Sequence, residues 1–165
     1  MPSHRQKFRL LLIAAAAMLG WPSVAYSGQI SAANPQSVYA AITKAGDVAE
    51  FSTAPEQDPG ILVKTSSGFV FIVYFHGCQN HVNCKYINMT STFGTTNSAP
   101  VDWINTKNSV MEHARIFSPK EKNITIAMTI NLMGDGMSEE LFLQYYRLWG
   151  GKLIGFRSDI ASAPW

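Results

Sequence analysis

The run "FVFIVYFH", Phe69–His76, constrains the fold more than any other part of this chain. Branched and aromatic side chains in near-unbroken succession suit a pleated strand. Gly68 precedes the run and Gly77-Cys78 closes it, so it reads as a central strand with both faces covered. A shorter run, residues 61–65, sits upstream across Ser66-Ser67-Gly68, and the two read as a hairpin.

The remaining elements follow from spacing and punctuation. "APEQDPG", residues 54–60, is turn chemistry before that hairpin. "KYINMTSTF", 85–93, sets Tyr86, Asn88 and Thr90 against Lys85, Ile87 and Met89, the alternation of a strand. Residues 115–118 and 123–132 predict a second hairpin around "SPKEKN". A first helix is expected over 34–46. Asn34 would cap it, Pro35 opens it, Val38, Ala41, Ile42 and Ala45 share a face, and Gly46 stops it. A second helix is expected over 98–114 with Ser98 as cap and Val101, Ile104, Asn108, Met111 and Ala114 on one side. A last helix starts at Ser138, with Glu139 and Glu140 in the turn where the dipole favours acids. Leu141, Phe142, Tyr145, Leu148, Trp149 and Ile154 make its expected apolar face, and Gly150-Gly151 is expected to kink it. The order α-β-β-β-α-β-β-α predicts an α+β domain: an antiparallel sheet with helices packed mainly on one face.

The N-terminus reads differently. Arg5, Lys7 and Arg9 precede the apolar run Leu10–Gly20, Trp21-Pro22 ends it, and small residues follow at Ser23-Val24-Ala25 and Ala25-Tyr26-Ser27. This is the pattern of a secretory signal, residues 1–27, ahead of a single domain over 28–165. The apolar run is too short to span a bilayer, so no stable membrane span is expected after cleavage. The whole chain has 13 basic and 11 acidic residues, and three of the basic ones lie in the leader. The remainder is therefore close to neutral, at 10 against 11, and carries no basic stripe of the kind that binds nucleic acid. A periplasmic or secreted bacterial protein is expected.

Both cysteines fall in "HGCQNHVNC", residues 76–84. An exported chain meets an oxidising compartment, and Cys78 and Cys84 would end adjacent antiparallel strands, so a structural disulfide is the favoured reading. His76, Cys78, His81 and Cys84 could instead form a two-thiolate, two-imidazole metal site, although four ligands within nine residues fit no familiar zinc spacing. A redox pair is the third reading, weakened by C-x5-C spacing between strands. Elsewhere, His113 stands alone in a predicted helix. Asp47, Glu50, Glu56, Asp58, Asp102 and Glu112 form no recognisable catalytic pair. Ser66-Ser67-Gly68 lacks the flanks of a nucleophile elbow. Neither enzymatic activity nor a cofactor is expected.

From Ile61 to Phe156 the chain resembles the YbjN family, bacterial proteins described as sensory transduction regulators. The resemblance is carried by "FVFIVYFHGCQNHVNCKYINMTSTF", by Ile104-Asn105 and Asn108 of "WINTKN", and by "ITIAMTINLMGDGMSEELFLQYYRLW". The chain departs from the family pattern at Lys107, where the helix motif has tryptophan, with Trp103 one turn earlier, and at Asn131, near a common aspartate. The resemblance implies a type III secretion chaperone-like fold, pairing into homodimers, and binding of a protein or peptide partner. Trp103, Asn105 and Asn108 on the second helix are the expected partner-binding residues.

Overall fold

The computed structural model describes residues 29–52 and 57–165. The expected signal segment and residues 54–56 of the expected turn, Glu56 among them, lie outside these. The chain forms β1 (Gln29–Ile30), α1 (Pro35–Lys44), β2 (Val48–Phe51), β3 (Gly60–Lys64), β4 (Val70–His76), β5 (Tyr86–Gly94), α2 (Val101–Val110), β6 (Arg115–Phe117), β7 (Asn123–Asn131), β8 (Met137–Ser138) and α3 (Glu139–Ala161). Six strands make one sheet in the order β2-β3-β4-β5-β7-β6, and β1 pairs with β8 in a small second sheet. Every pairing is antiparallel. The α+β class with an antiparallel sheet is thus the observed one.

Both expected hairpins form. Ile61 faces Val73 and Val63 faces Phe71 in the first, and Ile116 faces Ile126 in the second. The Gly68 turn has φ +82°, a left-handed conformation that glycine adopts without steric cost. Three strand pieces, β1, β2 and β8, were not expected. β2 adds to the outer edge of β3, and β1 docks on β8. Gly136 makes that second contact possible: a Cβ there would lie 2.0 Å from the carbonyl oxygen of Ile30.

One face of the large sheet is the core. Ile61, Val63, Phe71, Val73, Phe75, Ile87, Met89, Ile124, Ile126, Met128 and Ile130 bury against the helices. The opposite face is open along β4: Val70 and Tyr74 are 51% and 42% exposed. This corrects the expectation that β4 is covered on both faces. β4 is interior to the sheet, but α1, α2 and α3 lie on the side of Phe71 and Phe75, so its apolar composition exceeds what burial requires.

The α3 stripe is also corrected. Phe142, Tyr146, Trp149, Leu153 and Phe156 are the buried residues, at spacings of four, three, four and three. Leu141 and Ile154, placed on the core face by the sequence pattern, are 41% and 56% exposed. Trp149 meets Phe71 edge-on and Phe156 meets Phe93 edge-on. Ser138 accepts from the Leu141 amide as the expected cap. The helix continues unbroken through Gly150 and Gly151, the pair expected to kink it. α2 is shorter than expected: it begins after Pro100, and Ser98 instead accepts from the Lys122 amide. No residue of α2 is fully buried, and Val101 is exposed. Pro35 opens α1 as expected, although the Asn34 side chain makes no cap bond.

Candidate functional site

Cys78 and Cys84 are joined in a disulfide. Between them Gln79 and Val82 exchange backbone bonds at 2.7 and 3.1 Å, with Asn80 and His81 both at positive φ. Two left-handed central residues define the tight turn that suits the twist of a hairpin. The sulfurs are bonded to each other, so neither is a thiolate ligand. The two histidines are also engaged elsewhere. His81 Nδ1 lies 2.9 Å from Asp58 Oδ1, and the His76 ring stacks on Tyr86 at 5.3 Å. The four-ligand alternative is therefore not assembled, and no group of three or more His, Cys, Asp or Glu able to hold a metal occurs among the described residues.

The second-helix residues divide by role. Asn108 is half-buried and its amide bonds to the backbone of Ile116: Nδ2 donates to the carbonyl at 2.9 Å, and Oδ1 accepts from the N–H at 2.7 Å. Trp103 is covered by Trp165, edge-on at 5.3 Å, and by the Lys107 ammonium at 5.6 Å. Lys107 also pairs with Asp159 at 2.6 Å. Asn105 is exposed, and the structure gives its side chain no hydrogen bond. Trp103 and Asn108 therefore hold α2 to its neighbours.

A groove lies elsewhere, at the edge of β7. β6 pairs only with Thr125–Ala127, so among the described residues Met128–Asn131 have a strand on the β5 side and none on the other. Leu132 donates to the Lys85 carbonyl, which fixes the even-numbered residues of β7 as the ones bonded to β5. The backbone N–H and C=O groups of Thr129 and Asn131 consequently point outward from the sheet edge.

Three cavities that share lining residues lie along that edge. One of about 230 Å³ is lined by His113, Met128–Asn131, Met137 and Tyr145. Tyr145 joins it to a second of about 210 Å³, with Leu141, Gln144 and Leu148 from α3. His113 and Thr129 join it to a third of about 240 Å³, with Ala114, Arg115 and Ala127. The β6 end is therefore cationic and the α3 side apolar. His113 sits at φ +62° and turns its ring edge-on to Tyr145 at 6.4 Å.

Among the described residues the one strongly displaced titration lies away from this groove. Burial, reinforced by the Asp47 carboxylate, drives the Tyr146 phenol well above its ordinary range. Its hydroxyl donates to Asp47 Oδ2 at 2.5 Å, and the Ser66 amide donates to the other carboxylate oxygen. Asp47, considered above as a loose acid, thus ties α3 to the β3–β4 turn.

Sequence reasoning missed Thr129, Asn131 and Arg115 as groove residues, and it assigned Tyr145 and Leu148 to the core. Backbone donors at a sheet edge leave no residue signature. The only available signal was the mismatch between a three-residue "RIF" strand and a nine-residue partner.

No family model matches the chain, and no curated protein or solved structure matches it either.

Proposed function

We propose that this protein is a non-catalytic binding module of the bacterial periplasm or extracellular space that holds an extended peptide segment of a protein partner. The observation that carries this reading is the β7 edge at Met128–Asn131, unpaired among the described residues, lying beside a trough lined by Leu141, Tyr145 and Leu148. Edge addition supplies main-chain hydrogen bonds irrespective of sequence, and alternate side chains of the added strand select by filling pockets. Here one set of partner side chains would meet Tyr145, Leu141 and Leu148, and the other would stand above Thr129 and Asn131.

Export is supported by the leader pattern and by the disulfide, which persists in oxidising compartments. No helix among the described residues is long and apolar enough to cross a membrane. The YbjN resemblance adds a regulatory role to the proposal. The expected surface around Trp103, Asn105 and Asn108 gives way in it to the β7 groove, because two of those side chains already have intramolecular partners.

The test is a selection of random peptides against the full chain, repeated with Thr129→Pro. The Thr129 N–H faces away from β5, so proline there removes the outward donor and leaves the β5 ladder bonds in place. Selected peptides should bind the natural protein, slow amide exchange at Thr129 and Asn131, and fail on the variant. Ligands that bind both proteins equally would place the site elsewhere.

A further inference from the structure

The groove has one blocked end, and the chemistry there differs from that of the rest. β6 occupies the same edge of β7 from Thr125 to Ala127, directly in line with the open positions Met128–Asn131. A strand added at those positions meets Ala114 and Arg115 and cannot continue along the sheet. It must leave the edge or end there.

The groups at that end favour an ending. Arg115 lines the terminal cavity with His113, and no acidic side chain lines any of the three cavities. The Arg115 guanidinium carbon lies 5.4 Å from the Phe117 ring centroid, and no carboxylate among the described residues forms an ion pair with it. An arginine left with its fork of donors free, at the stop of a backbone-binding edge, is suited to a carboxylate.

We infer that the groove takes the free C-terminal end of a partner chain, laid antiparallel on β7 with its terminal carboxylate against Arg115 and His113. The direction follows from the placement. β7 runs away from Arg115 toward Asn131, so a segment whose last residue lies at Arg115 runs opposite to it. Residues with outward backbone groups, Thr129 and Asn131, would register the segment, and an apolar side chain near its end would enter the trough of Tyr145, Leu141 and Leu148. The inference rests on the edge-binding reading above and narrows it from any extended segment to a chain terminus.

The experiment uses two random-peptide libraries on the full chain, one displayed with free C-termini and one embedded within a carrier protein. The best free-ended sequence is then synthesised as acid and as C-terminal amide, and both are titrated by fluorescence polarisation. The acid should bind at least about tenfold more tightly than the amide, the scale of a lost charge-assisted hydrogen bond. Arg115→Ala should weaken the acid by a similar factor and leave the amide unchanged, and Arg115→Lys should retain part of the difference. Unchanged circular dichroism and melting temperature would show that these variants fold. Equal binding of acid and amide, or tighter ligands from the embedded library, would overturn the terminus inference. The edge-binding reading would then stand or fall on its dependence on Thr129. Failure of both libraries would overturn the two together.

Discussion

Asn108 stands beside Ile116 as a strand would, giving one hydrogen bond to its carbonyl and taking one from its N–H. Ile116 and Ile126 face each other across β6 and β7, so these outward groups of Ile116 belong to the sheet's free edge. A single side chain on α2 therefore caps that edge, which is one way to keep an exposed strand from pairing with another molecule. Replacing Asn108 by alanine leaves both groups of a buried residue without their partner. The expected loss is about 1–3 kcal/mol, read as a lower urea midpoint at unchanged slope. A loss under about 0.5 kcal/mol, the level of an ordinary surface change, would contradict this role.

The Tyr146–Asp47 bond predicts alkaline behaviour. The folded protein holds the phenolic proton more tightly than the unfolded chain, whose tyrosines titrate near 10.0. Below that value the contribution is fully present. As pH rises past it, the unfolded state loses a proton that the folded state retains, so stability falls. Tyr146→Phe should flatten the decline above pH 10 relative to the natural protein. At neutral pH it should cost about 1–3 kcal/mol, because a hydrogen bond to a charged group is lost. Parallel stability–pH curves for the two proteins would refute the assignment.

Reduction of Cys78–Cys84 should act locally. The loop it closes is short, and the chain-entropy estimate for such a loop is about 2 kcal/mol. Cys78→Ser with Cys84→Ser should lower the melting temperature and speed amide exchange at Gln79 and Val82, while Ile87 and Met89 in the adjoining strand stay protected. Equal acceleration across β5 would show that the staple holds the whole sheet.

Gly136 should tolerate no side chain. Its φ is +76°, and a Cβ would overlap the Ile30 carbonyl. Gly136→Ala should release β1 from β8 and cost about 3 kcal/mol, as strained backbone sites do. Proteolysis near Ile30 in the variant, absent from the natural protein, would report that release, and equal resistance would rule it out.

Much of this architecture is visible in the one-dimensional pattern, for reasons tied to particular residues. Phe69–His76 has the composition of a strand and little else, and Pro35 and Gly46 bracket α1 by backbone preference. The stripe on α3 was misplaced because Tyr145 and Tyr146 are adjacent and chemically equal in the sequence. Only the placement of Phe71 and Phe142 decides that Tyr146 turns inward. Residues 48–51 alternate too briefly to announce a strand, and they become one because β3 has a vacant edge. The groove was illegible for a related reason: its donors are backbone groups, present at every position and distinguished only by what fails to pair with them.

The six-stranded sheet is complete in sequence by Asn131, yet Phe142, Tyr146, Trp149, Leu153 and Phe156, which close its apolar face, are made only after it. A chain emerging from the ribosome therefore carries all six strands before it has a cover for them. It remains sticky until α3 is available, a period in which chaperones can act.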